Sequence, residues 1–241
     1  MMDHILFRIM RAFFRLGRDT SAVAMVEFAY AAPVLLVLIT GGAELANYAI
    51  TNMRVSALAL QVADNAARMG SGDPMQLKVI SEAQINDILQ GALAQGGTLN
   101  INGTGNERQA NETYLVKNKA RIIISSLEPD PNVAHVNKNW IHWQRCYGQA
   151  TEYLPQYGAQ GLTNLAGMGP AGRQVYAPAG TEVMFVEVHY RYAPLFPVVR
   201  AGMFGIMNYK DMNTVAAMIV RDDRSVGAMP DNAQGVAIST C

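Results

Sequence analysis

Cysteine, histidine and charged residues are all scarce in this sequence of 241 residues. Two cysteines and four histidines leave little material for a zinc site, and they lack the paired spacing of zinc ligands. Lysine plus arginine equals aspartate plus glutamate, at 19 each, so there is no broad basic surface for nucleic acid. We therefore expect neither a metal nor a nucleic-acid partner.

Motifs that would indicate catalysis are also missing. The glycine-rich segment Gly167–Gly172 lacks the Lys-Ser/Thr pair of a phosphate-binding loop. His135, His142 and Cys146 could gather, but His142 and Cys146 would lie ~13 Å apart along a strand. His189 stands alone in a strand and is interpreted as a structural histidine. The sequence therefore predicts no catalytic residue, no cofactor and no enzyme activity.

One long apolar run lies near the N-terminus. Residues 22–43 read AVAMVEFAYAAPVLLVLITGGA, and Glu27 is the one charged residue among them. The length matches the roughly 20 residues that cross a bilayer. Basic residues before the run place the N-terminus in the cytoplasm and the rest of the chain outside. These residues are Arg8, Arg11, Arg15 and Arg18.

Two alternatives to a membrane anchor remain open for residues 22–43. A cleaved signal peptide has a shorter apolar core of about 7–15 residues, and a buried soluble helix is the other. The length of the run and its unbroken continuation into more helix favour an anchor. Residues 1–21 are then a cytoplasmic basic arm, either amphipathic on the anionic leaflet or disordered.

Glu27 is unusual within such an anchor. A carboxylate deep in hydrocarbon costs about 2.5–3.5 kcal/mol on insertion scales. It therefore either reaches the headgroups or pairs with a cationic group on a neighbouring helix, which would fix the register between subunits. Small residues around it would allow close helix packing.

The helix is predicted to extend well beyond the anchor. A one-sided apolar stripe continues to Met69 without proline, so a single helix is expected over residues 20–69, with 44–70 forming a stalk. Pro33 is expected to kink it, as membrane helices tolerate. The glycines and proline of residues 70–74 end the helix.

Residues 71–241 predict an exported α+β domain whose antiparallel sheet packs on the stalk. A second helix is expected over 75–93, capped by Asp73 or Ser71. The predicted strands are 119–127, 136–147, 182–192 and 214–221, with loops over 96–111 and 154–180 and a short helix or turn over 198–207.

The two cysteines, Cys146 and Cys241, are either bridged or two unrelated thiols. An exported domain lies where disulfides form. In the chain-entropy model, closing a loop of ~95 residues stabilises by up to about 4–5 kcal/mol.

The start of the anchor resembles a known family. Residues 18–33, RDTSAVAMVEFAYAAP, followed by a Leu/Val run, resemble the opening of TadE-like proteins, in which an R-x-x-G/S-x-x-x-V-E-F-A-x-x-x-P block begins the membrane helix. The resemblance covers residues 18–70 closely. The segment YRYAPLFP at 190–197 is similar to a late strand of the family.

This resemblance implies a minor, pilin-like component of the Tad (tight adherence) machinery, which builds Flp-type IVb pili in bacteria. Such proteins have structural or assembly roles at the inner membrane and no enzyme activity. The implied partners are inner-membrane lipid, pilin, other pseudopilins, platform proteins and prepilin peptidase.

The resemblance also implies roles for the residues of the block. In pilin-like proteins the carboxylate corresponding to Glu27 neutralises the N-terminal amine of an adjacent subunit. Prepilin peptidase would create that amine by cutting between Ala22 and Val23. The family usually has Gly before the cut and Tyr after the Glu, where this chain has Ala22 and Phe28. An uncleaved, TadG-like platform subunit therefore remains an alternative.

Two functions from other classes stay open. The first is a membrane-tethered periplasmic module that binds a ligand or partner through its loops at 96–111 and 154–180. The second is a secreted enzyme behind a signal peptide, which would have a mature N-terminus near Ala43.

Overall fold

The computed structural model describes residues 20–72, 77–108, 114–196, 209–221 and 224–241. For residues 20–22, 107, 108 and 114 it describes the backbone only. The predicted basic arm, apart from Thr20 and Ser21, and the helix or turn over 198–207 lie outside these residues. The chain divides between Asn47 and Tyr48 into two compact units.

Helix α1 spans Thr20–Ala67, close to the predicted 20–69, and has Pro33 inside it. The helix ends three residues before Gly70, whose backbone φ of +122° is unfavourable for residues with a side chain. The Arg224 guanidinium donates to the Ala66 carbonyl at 2.9 Å, which satisfies one of the free carbonyls at the helix end. The kink at Pro33 stays a prediction.

Helix α2 spans Glu82–Gly96, so the predicted start at Met75 was wrong for the described part of that segment. Ser71 does not cap it, because its backbone pairs with Val79 instead. The cap is Ser81, whose side chain accepts from the Gln84 N–H while the Gln84 side chain accepts from the Ser81 N–H. This capping box satisfies two N–H groups at once. Asp73 lies outside the described residues.

A small hairpin occupies part of a segment that was predicted as loop. Strands β1 (Thr104–Arg108) and β2 (Tyr114–Asn118) pair antiparallel. The loop prediction over 96–111 was therefore wrong for 104–108, and β2 was missed. Strand β1 (TGNER) is short and polar, and the apolar residues of β2 are consecutive, so neither strand shows the alternation that identifies a half-buried strand.

The main sheet has four antiparallel strands in the order β4-β3-β5-β6. Its strands are β3 (Ala120–Pro129), β4 (Asn139–Tyr147), β5 (Val183–Tyr192) and β6 (Lys210–Ile219). All four were predicted, but β4 starts three residues later than expected. Strand β6 starts four residues earlier, because the polar run before Thr214 pairs with the end of β5.

A bulge in β4 changes which side chains face which side of the sheet. Ser125 pairs with Gln144, but Leu127 pairs with Ile141, so β4 has one extra residue there. As a result Trp143 packs into one core and Ile141 into the other.

Two apolar cores lie on opposite faces of the sheet. On the inner face, the residues of α1 after Tyr48 pack with α2 against β3, β4 and β5. This packing of sheet on helix was predicted. Fully burying each large aliphatic side chain contributes about 1.5–3 kcal/mol. The inner core includes Val55, Leu58, Val62, Ile85, Leu89, Ile122, Ile124, Trp143, Met184 and Val186.

The outer face is covered by the long loop that was predicted over 154–180. Met168 and Ala177 from this loop are buried against Leu127, Ile141 and Phe185 of the sheet. The loop is held by backbone bonds between Met168 and Val175. A segment without regular structure therefore completes the second core.

The outward N–H groups of β4 are all hydrogen-bonded within the described residues. The four N–H groups that point away from β3 donate to other parts of the chain. Three reach the loop over residues 160–165, and the fourth, from Cys146, reaches the Ser239 carbonyl at 2.7 Å. The donors are Asn139, Ile141, Gln144 and Cys146.

Cys146 and Cys241 form a disulfide, with their Cα atoms 4.9 Å apart and a sequence separation of 95. The bridge ties the C-terminal segment to β4. Ser239 also contacts α2, because its hydroxyl donates to Asn86 at 2.8 Å. Of the two alternatives that the sequence left open, the structure has the bridge.

Candidate functional site

The apolar part of α1 is the first candidate site, because its surface suits lipid better than water. Val23 and Phe28 are 59% and 72% exposed, and the large side chains from Val34 to Ile39 are exposed as well. Among the described residues, one helix is long and apolar enough to cross a membrane, and no residue of its most apolar stretch is buried. Apolar residues on all faces are typical of a membrane span.

The predicted assembly residues all lie on this helix. Ala22, Val23, Glu27, Phe28 and Pro33 fall in its first turns, and the last four are exposed. Val23 and Glu27 are four residues apart and so share one helix face. An amine at position 23 would therefore lie one turn from a carboxylate of the same chain.

Polar atoms later in this segment are satisfied within the helix. The Thr40 hydroxyl donates to the Leu36 carbonyl at 2.7 Å. Such back-bonding removes the need for a water partner and suits an apolar medium. Pro33 lacks an N–H and leaves one carbonyl of the preceding turn without its usual helical donor.

The second unit contains a buried polar network on the inner face of the sheet. Glu128 accepts from Ser126 and bonds His142 Nδ1, each at 2.8 Å, and its other oxygen accepts from the Gly227 N–H at 2.8 Å. Glu182 is 2.8 Å from the Ser126 hydroxyl, and the Arg224 guanidinium is 3.7 Å away. All five side chains are buried.

The Ser126 hydroxyl lies within hydrogen-bond distance of two buried carboxyl groups, Glu128 and Glu182. A hydroxyl has one hydrogen, so it can donate to only one of the two carboxyl groups beside it. Glu128 also accepts from the Gly227 N–H and contacts His142. Burial raises the pKa of Glu182, against the opposing effects of Ser126 and Arg224. Glu182 is therefore a carboxyl whose protonated form the fold favours more than water does.

Raising the pH is expected to reduce stability through Glu182. Its pKa is higher in the folded protein than its ordinary value of 4.5, so the folded state holds this proton more tightly than the unfolded state does. The contribution is complete below pH 4.5 and is lost as the pH rises through the folded pKa. Glu182→Gln cannot ionise and keeps a donor. Its free energy of unfolding relative to that of the wild type should therefore be higher at about pH 7 than at about pH 4.

Urea denaturation of the detergent-solubilised protein at both pH values measures this gain. Asp87→Asn, at an exposed carboxyl of α2, is the control for the loss of one negative charge. If the wild type instead becomes more stable relative to Glu182→Gln as the pH rises, the prediction is contradicted. The attraction of Arg224 for the Glu182 carboxylate would then outweigh the effect of burial.

A buried ion pair links α2 to β4. The Arg145 Nε lies 2.9 and 3.1 Å from the two Glu82 oxygens, and Nη2 makes a further contact with the same carboxylate. Arg145 Nη1 donates to the Gln144 carbonyl at 2.8 Å. Glu82 and Arg145 are 1% and 3% exposed, so the pair is almost fully removed from water.

His189 is buried on the outer face beside Glu187, but its Nε2 has no hydrogen-bond partner among the described residues, so the prediction of a satisfied sheet histidine was wrong for this nitrogen. Its Nε2 is 3.5 Å from Glu187, and its ring stacks on Tyr153 with centroids 5.2 Å apart. Burial and the hydrogen bond to Asp211 raise the pKa of Tyr153. This phenol is therefore held protonated as a donor.

The residues considered for a metal do not come together. His135 bonds Asp130, His142 bonds Glu128, and Cys146 is in the disulfide. In the part of the chain that the structure describes, no group of three or more His, Cys, Asp or Glu side chains could hold a metal ion.

A cavity of ≈ 640 Å³ lies between the turn over 129–139 and residues 176–179. Asn139 lines it and is 3% exposed, and its Oδ1 has no hydrogen-bond partner among the described residues. Exposed Tyr176 lies at its rim. The cavity has the size and the unsatisfied acceptor of a small-ligand site.

Comparisons with protein-family models, curated proteins and solved structures find no match for this chain.

Sequence reasoning found the residues of the apolar helix but missed the buried polar groups. The Ser126–Glu182 contact joins residues 56 apart, and Glu82–Arg145 joins residues 63 apart. A charged residue within an otherwise buried strand was the available signal, as with Arg145 in NWIHWQRCY.

Proposed function

We propose that this chain is a structural and assembly component of a Tad (Flp, type IVb) pilus apparatus. It is anchored in the bacterial inner membrane by one pass, with a cytoplasmic N-terminus and a periplasmic α+β domain. It acts through helix packing, as a minor pseudopilin or as a platform subunit. Its partners are pilin, other pseudopilins and platform proteins.

One observation supports this proposal above the others. Helix α1 is apolar and exposed on all faces around Glu27, while its residues after Tyr48 form the centre of the inner core. A signal peptide that is cleaved off does not need to continue into the helix of the inner core. Cleavage near Ala43 would leave α1 starting only a few residues before the part that packs in that core. The resemblance of residues 18–33 to TadE-like proteins then supplies the identity of the machine.

Glu27 supplies the assembly contact in this proposal. A carboxylate in hydrocarbon is costly, about 2.5–3.5 kcal/mol, unless a cation neutralises it. The amine of a neighbouring subunit cut before Val23 would do so. In an uncut platform subunit, Glu27 would instead lie at the headgroups or pair with another protein.

Intact mass and N-terminal sequencing of the membrane-extracted protein test the processing step, with and without prepilin peptidase. A peptidase-dependent start at Val23 supports a pseudopilin. A start at Met1 or Met2 supports a platform subunit and removes the amine-pairing role of Glu27. A start near Glu44 would overturn the anchor.

Glu27→Gln tests the assembly role directly. We expect the variant to stay in the membrane fraction but to reduce surface pili by at least about tenfold, which corresponds to ~1.4 kcal/mol of lost subunit pairing. Thr40→Val is the matched control in the same segment, because its hydroxyl bonds only within the helix. Equal piliation by wild type and Glu27→Gln would contradict the assembly role.

A membrane-tethered binding module is a second candidate, favoured by the cavity beside Asn139. A small molecule that remains bound in native mass spectrometry and is lost in Asn139→Leu would support it. Normal pili in cells lacking the protein would favour this function over pilus assembly.

A further inference from the structure

Strand β6 forms one edge of the main sheet. The pairing of β5 shows which of its backbone N–H and C=O groups point away from the sheet. The Arg191 N–H donates to the Lys119 carbonyl at 2.7 Å, toward β3. Arg191 is the partner of Asp211, so the backbone groups of Asp211 point away from β5. The same holds for every second residue along β6. These are Asp211, Asn213, Val215, Ala217 and Ile219.

These outward N–H and C=O groups lack partners in the part of the chain described by the structure. The bonds of β6 run to β5, and the Val220 N–H donates to the Glu182 carbonyl at 2.9 Å. The opposite edge of the sheet differs, since all four outward N–H groups of β4 are bonded. The chain therefore protects one edge and leaves the other open.

The second half of β6, which is half-buried except for exposed Ile219, also lacks the usual protection against strand addition. Lys210 and Asp211 charge its start, but residues 215–219, VAAMI, contain no charge and no proline. Open edges in proteins are commonly blocked by such residues. An unblocked, apolar edge is a surface on which an extended segment can add a strand.

A cavity of ≈ 280 Å³ adjoins this edge on the outer face of the sheet. Val175, Phe185, Val215 and Ala217 give it apolar walls. Val215 and Ala217 belong to the outward-pointing set, so an added strand would place alternate side chains beside this cavity. Backbone bonds and a side-chain pocket would then act together.

Arg173 lines the same cavity and gives it a positive charge. It is exposed, and its guanidinium has no ion pair or hydrogen bond within the described ranges. A carboxylate on the added segment would form an ion pair with the Arg173 guanidinium. A second copy of β6 offers only Asp211 on that face, and Asp211 is already bound by Tyr153 and Arg191.

We propose that β6 is a docking edge for an extended segment of a partner protein. The segment adds an antiparallel or parallel strand beside residues 211–219. It places apolar side chains over the Val215–Ala217 cavity and a carboxylate, two residues further along the same face, on Arg173. This inference concerns the sheet domain and does not depend on the pilus proposal.

The test uses the full chain in detergent and a fluorescein-labelled peptide, Thr-Val-Thr-Val-Thr-Glu-Thr, whose two valines and glutamate share one face. Fluorescence anisotropy should show saturable binding below ~1 mM. Ala217→Pro removes an unbonded N–H and blocks the edge without touching the β5 pairing. We expect it to weaken binding by at least about tenfold.

Charge reversal separates this edge from non-specific binding. Arg173→Glu should weaken binding of the glutamate peptide and strengthen binding of the same peptide with lysine in place of glutamate. A peptide with proline for its second valine should not bind the wild type. Absence of saturable binding, equal binding to Ala217→Pro, or a dimer of the free protein that Ala217→Pro dissociates would each overturn the proposal.

Discussion

Glu82→Ala is expected to lower the free energy of unfolding by about 3–5 kcal/mol, because it leaves a buried guanidinium without its counter-charge. Arg145 is 3% exposed, and its remaining bonds to Gln144 and Gln160 are to neutral oxygens. The variant also loses an acidic residue in the first turn of α2, which is worth a further ~0.3–1 kcal/mol. Urea denaturation of the solubilised protein, followed by circular dichroism, measures the change.

Two further variants distinguish a buried charge from the general loss of an ion pair. Asp64→Ala breaks the exposed Arg68–Asp64 pair on α1 and should cost no more than about 0.5 kcal/mol. The double variant Glu82→Leu, Arg145→Met should recover most of the lost stability, because apolar residues of similar volume often replace a buried pair without penalty. A loss below about 1 kcal/mol in Glu82→Ala would contradict this account.

Removing the disulfide is expected to have an effect of similar size. In the chain-entropy model, a bridge over 95 residues stabilises by about 4–5 kcal/mol. Cys241→Ala is the better variant, since Cys241 is exposed while Cys146 is buried in the sheet. Its unfolding midpoint in urea should fall, and dithiothreitol should lower the wild type to the same value.

Ser239→Ala is the control for the disulfide. It removes the hydroxyl contact with Asn86 but keeps the bridge and the backbone bond from Cys146. We expect a change of about 1 kcal/mol or less. If dithiothreitol leaves the wild-type midpoint unchanged, the bridge does not stabilise this domain.

Local patterns explain which elements the sequence could predict. The apolar run and the one-sided stripe that follows it lie on one helix, so α1 and its residues Glu27, Phe28 and Pro33 could be placed without knowing any tertiary contact. Strands β3 and β5 were readable because they are apolar over most of their length. The hairpin β1–β2 gave no such signal.

Features that depend on pairing across the chain could not be predicted. The start of α2 was misplaced because Ser71, Asp73 and Ser81 are all acceptable caps by residue type, and the Ser71–Val79 pairing decides between them. The bulge in β4 is set by its pairing with β3, and the network at Ser126 needs β3, β5 and the Arg224 segment together. The open edge of β6 becomes visible only when the strand order is known.

The bonded N–H groups along the outer edge of β4 limit how the main sheet can be extended. A sheet with two open edges can accept a strand on each side, so identical units can polymerise without end. Here one side is closed by residues 160–165 and Ser239. If β6 accepts a strand as proposed, the main sheet can take one strand in the described part of the chain, and its growth would stop on the β4 side.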